Sequence, residues 1–137
     1  MIIGILFYLI LIINFIVSLS YGESFDKKLS LSLIVISIFS YFISISITHD
    51  QFNIFIAISD AILLVIILIH SFHGNRYWPL WFAAFHSLAV ISDILIIASP
   101  NFLAPYDWAL AGVWALPALL SMSIGIVLDH RAGLEGK

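Results

Sequence analysis

The chain has 137 residues, of which 63% are hydrophobic and only 9% charged, with a formal net charge of -3. Soluble domains carry about 25% charged residues, so this composition and a mean hydropathy of +1.16 exclude an ordinary water-soluble core and indicate one membrane domain with little mass outside it. The lack of cysteine excludes a disulfide framework, a thiolate zinc site and a cysteine nucleophile, and the absence of a basic patch argues against nucleic-acid binding.

Five apolar runs follow one another. The first spans residues 2–21. It lacks the positive leader of a signal peptide and exceeds the usual apolar core of one, so it reads as an uncleaved first transmembrane helix. Asn14 is a polar spot in its middle and is expected to face another helix. A polar gap, GESFDKK, precedes the second run at 29–47. There Ser30, Ser37, Ser40, Ser44 and Thr48 recur at helical spacings and share one face. Small hydroxyl residues let helices approach closely, so helix packing is the favoured reading of this stripe. A polar path or ligand groove is the alternative.

The third run spans 54–71 and the fourth 79–99, with FHGNRYW between them. Pro79 suits the first turn of a helix. Asp60 lies about one and a half turns from the outer end of the third helix, and Asp93 at nearly the same depth in the fourth. An ionised carboxylate in lipid is costly, so both acids are expected to face the bundle or water. Brought together, they would share a proton or bind a hard cation through oxygen; helix packing through local hydroxyls is the plainer reading. His86 shares a face with Asp93, seven residues on and about 10 Å away along the axis. His70 and His73 end the third helix. The three histidines are candidates for a metal, haem or quinone site, although H-x-x-H is too common to be specific. The cofactor is left unknown.

PNFLAPY, with two prolines, forms a loop before the fifth run at 107–128. Ala111, Ala115, Ala118, Ser121 and Gly125 give that helix a small-residue packing face, and Pro117 is expected to kink it. Residues 129–137 read as a short polar cytoplasmic tail. Each run holds about 18 to 22 residues, matching a hydrocarbon core of roughly 30 Å.

Every Lys and Arg falls in an alternate gap: Lys27 and Lys28, then Arg76, then Arg131 and Lys137. The positive-inside rule then places the N-terminus outside and the C-terminus in the cytoplasm. Tyr77, Trp78 and Trp81 suit the inner interface, and Phe102, Tyr106 and Trp108 the outer one. Arg76 beside Tyr77 and Trp78 is a candidate contact for an acidic lipid headgroup.

The expected fold is therefore all-α: a compact five-helix bundle of residues 1–128 in a membrane, with a bacterial inner membrane as the expected location. No phosphate loop, zinc-protease motif, nucleophile elbow or intramembrane lysine occurs. The leading functional expectation is a non-enzymatic membrane component. It would be an accessory subunit packing against another membrane protein, or a homo-oligomer, with lipids as its other partners. The alternatives are a small oligomeric proton, cation or solute transporter using Asp60, Asp93 and His86, and a membrane redox or lipid-active enzyme with a histidine-bound cofactor.

Overall fold

The computed structural model describes residues 2–73, 76–99 and 107–133, with the backbone alone at 107–109 and 111. Helix α1 spans Ile2–Tyr21, α2 Ser24–Ser46, α3 His49–His73, α4 Trp78–Ala98 and α5 Asp107–Arg131. Each contains a stretch long and apolar enough to cross a membrane. In lipid an unpaired backbone amide has no water to turn to, so runs of this length must satisfy their peptide groups internally. No strand occurs among the described residues.

Several helices extend past the apolar runs that announce them. Helix α2 starts at Ser24 and takes the polar FDKK segment as its first turns. The Glu23 amide donates to Asp26 Oδ2 at 2.9 Å, satisfying a donor at the helix entrance. Helix α3 starts at His49 and ends at His73, and α5 runs through Pro117 to Arg131. Hydropathy marks the part of a helix that suits lipid, whereas hydrogen bonding carries the helix on into polar surroundings. The first connections are correspondingly short. Gly22 stands in the α1–α2 turn, where a Cβ would come 2.5 Å from the Ser18 carbonyl oxygen. Two expectations change here: Asp129 to Arg131 belong to α5 and not to a loose tail, and the PNFLAPY loop lies outside the described residues.

Successive helices alternate in direction, and the ring closes where α5 packs on α1. Asn14 on α1 donates to the Leu119 carbonyl at 3.2 Å and to Ser123 Oγ at 3.0 Å on α5. The sequence expectation that Asn14 meets another helix is met. At the seam between α4 and α5, Gly125 faces Trp78, and a Cβ at Gly125 would lie 2.0 Å from the Trp78 Cβ. This is the close approach expected of a small-residue face.

The core is concentrated toward the end of the ring that carries the α1–α2 and α3–α4 connections. Ile67, Phe82, Met122 and Ile126 are fully buried there. Helix α2 buries only Asp26, Leu29 and Ser30, all near its start. Beyond Ser30 it packs more loosely: Leu33 and Ile34 still touch the core and Phe39 meets Phe55 of α3 edge-on, with ring centroids 6.3 Å apart, but Val35, Phe42 and Ile45 are exposed. The opposite end of the ring therefore contains a cleft.

Candidate functional site: a polar cleft and a buried ion cluster

The cleft has a volume of about 530 Å³ and is lined by residues from all five helices. Its floor is the core, through Leu11, Leu63, Phe82 and Leu119. Ser37, Ser40 and Ser44 of α2 line one wall. This differs from the packing role favoured for the hydroxyl stripe. Ser30 alone among those four serines is fully buried, because the fully buried residues of α2 all lie near its start. On α5, Ala115 and Ala118 line the cleft, Ser121 donates to the Ala118 carbonyl at 2.7 Å, and the Ala111 side chain lies outside the described ones.

Asp60 and His86 face the cleft from the opposite wall. The Asp60 and Asp93 side chains lie next to each other across the α3–α4 seam. Matched depth in the sequence pointed to this encounter, and helix rotation makes it. Asp93 sits behind Asp60, 4% exposed, and its Oδ2 has no hydrogen-bond partner within the protein. Two carboxylates have only acceptors to offer, so a bond between the pair requires a proton between them. His86 Nε2 lies 3.0 Å from the Asp60 carbonyl oxygen. A carbonyl only accepts, so Nε2 carries the hydrogen and Nδ1 is left as an acceptor. Thus α4 holds the Asp60 turn at two points, through His86 and Asp93.

The histidines do not converge. His70 stacks on Phe25 with ring centroids 3.5 Å apart, and His73 Nδ1 bonds the Ile69 carbonyl at 2.7 Å. Ten residues separate Asp60 from His70 on the same helix, about 15 Å of rise. Among the described residues no group of three or more His, Cys, Asp or Glu side chains is placed to hold a metal ion.

The end of the ring opposite the cleft is tied by charge. Arg76, between α3 and α4, donates through Nε to Asp129 Oδ2 of α5 at 2.6 Å, and through Nη1 to Asp26 Oδ2 of α2 at 2.7 Å. Glu23 lies 3.8 Å from Nη1. The guanidinium lies over the Trp78 ring, 5.8 Å from its centroid. Burial works against the charge on Arg76, but the hydrogen bonds to Asp129 and Asp26, and their negative charges, outweigh it and raise its pKa. This placement revises the lipid-headgroup expectation. Arg76 is 8% exposed and Trp78 2%, whereas Tyr77 alone of the three stands out at 72%. Two buried carboxylates offer the guanidinium a better-defined fork of acceptors than a mobile lipid surface does.

Sequence reasoning missed this cluster. The available signal was that Glu23, Asp26, Arg76 and Asp129, four of the few charged residues, fall at one end of the ring. Comparison with protein-family models, curated proteins and solved structures returns no match to this chain.

Proposed function

We propose that this chain is an integral membrane protein that binds a small solute in the cleft between its helices and carries it across the bilayer. The observation that carries this reading is the convergence of Asp60, His86 and the α2 serines on one cleft of about 530 Å³. Small-molecule sites are typically about 300–1,000 Å³, mostly apolar, with a few convergent polar groups. Intramembrane carboxylates commonly mark substrate or proton pathways. The charge pattern supports an orientation with the cleft facing outward and the Arg76 cluster at the cytoplasmic side of a bacterial inner membrane.

This reading takes precedence over the accessory-subunit expectation because a subunit whose role is packing gains nothing from an acid-bearing cleft inside its own helices. The test is reconstitution into proteoliposomes, with currents and internal pH recorded against a panel of monovalent cations, amines and neutral amphiphiles. The expected result is a solute-dependent signal that disappears in Asp60→Asn. Silence with every solute, together with a stoichiometric membrane partner in native mass spectrometry, would return the accessory role.

A further inference from the structure

Three of the four serines that line the cleft share one character. Ser37 donates to the Leu33 carbonyl at 2.7 Å, Ser44 to the Tyr41 carbonyl at 2.7 Å and Ser59 to the Phe55 carbonyl at 2.9 Å. Each hydroxyl hydrogen is spent on its own helix, so the oxygen presents lone pairs to the space beside it. His86 has likewise committed Nε2–H to the Asp60 carbonyl and keeps Nδ1 as an acceptor. Asp60 adds a carboxyl group, and no Lys or Arg lines the cleft among the described residues. An anion would find no complementary charge there. The remaining walls are largely apolar, with aromatic rings from Phe7, Tyr8, Tyr41, Phe52 and Phe82. Ring faces attract a desolvated cation, most strongly one that sheds water easily.

We propose that the cleft takes an amphiphilic organic cation, an amine or quaternary ammonium with an apolar body, with Asp60 as its counter-ion. This rests on the reading of the cleft as a solute site and names the class of solute. Two carboxylates that share one proton together carry one negative charge, so the Asp60–Asp93 pair balances the cation without gaining or losing a proton, and no covalent bond changes. The groups facing the cation are Asp60 from α3 with Asp93 behind it, His86 from α4, Tyr8 from α1 and Tyr41 from α2; α5 contributes only uncharged residues such as Gly112 and Ala115.

The experiment is calorimetry on the full chain in mild detergent with benzyltrimethylammonium. Neopentylbenzene, which has carbon in place of the charged nitrogen, is the neutral competitor of the same shape. Saturable cation binding, at least tenfold tighter than that of neopentylbenzene and at least tenfold weaker in Asp60→Asn, is the expected result. Asp93→Asn should keep cation binding, because Asp60 still supplies the charge. Equal binding of the two probes overturns the cation assignment while leaving the cleft as a site. These wild-type comparisons decide the matter even where Asp60→Asn fails to fold. If neither probe binds, and a cysteine placed at Ser40 in the wall does not react with a water-soluble maleimide, the cleft reading itself fails.

Discussion

Gly125 sets how closely α4 and α5 approach, because Trp78 occupies the space its side chain would need. At a Cβ–Cβ separation of 2.0 Å, Gly125→Ala forces a helix or the indole to move. Overpacking of this kind typically costs about 1–3 kcal/mol, so the variant should unfold at a lower temperature in detergent, with a corresponding loss of monodisperse protein. An unchanged melting temperature would mean that the α4–α5 seam is looser than the geometry here. Asn14 makes a contrasting case. Its two bonds reach α5, yet its Oδ1 is buried without a partner. Interhelical hydrogen bonds in membrane bundles average only about 0.6 kcal/mol. Asn14→Leu, which removes the bonds and the orphaned acceptor together, should therefore shift the melting temperature little, and a collapse of stability would show that Asn14 matters more than these bonds allow.

At the scale of elements, Arg76 joins three segments that hydropathy treats as separate gaps: the start of α2, the α3–α4 connection and the end of α5. Removing one member of a buried ion group strands the others. Arg76→Met should cost about 3–5 kcal/mol, read as unfolding by thermal or detergent titration. Arg76→Lys should rescue only part of this, because a point ammonium cannot serve Asp129 and Asp26 from two fixed nitrogens. Combining Arg76→Met with Asp26→Asn and Asp129→Asn should recover most of the loss; failure to recover would show that the charges contribute more than they cost to bury. The same cluster shows where the sequence stops being readable. Hydropathy exposes all five helices because each run must match the bilayer on its own, and the shared depth of Asp60 and Asp93 follows from antiparallel neighbours of known rise. Which face meets which neighbour depends on helix rotation, set by packing partners distant in the chain. Hence Ser37, Ser40 and Ser44 look like a packing stripe until α2 is seen to pack more loosely beyond Ser30, and Arg76 looks like a membrane anchor until Asp26 and Asp129 arrive beside it.

The whole molecule is asymmetric along its axis: a cleft at one end, a packed core in the middle and beyond, and a buried ion cluster tying the other end. A carrier needs access from one side at a time, and this arrangement has the form of a bundle open at the cleft and shut at Arg76. On the carrier reading proposed above, the cluster would serve as the gate, since its carboxylates sit on α2 and α5 while its cation sits on the intervening connection. The chain has no cysteine, so a single introduced thiol reports access without background. Ser40→Cys in the cleft should react rapidly with a soluble maleimide. Ser30→Cys, one turn from Asp26 and fully buried, should react slowly. Adding Asp129→Asn weakens one arm of the cluster, so reactivity at Ser30→Cys should rise by about tenfold, as expected for loss of roughly 1.4 kcal/mol from the closed state. Reactivity at Ser40→Cys should hold steady, because the core lies between the two positions. If Ser30→Cys stays protected while the protein's melting temperature falls, the cluster is a staple for the fold and the gate lies elsewhere; if both positions respond together, the two ends open as one unit, and single-sided access does not describe this bundle.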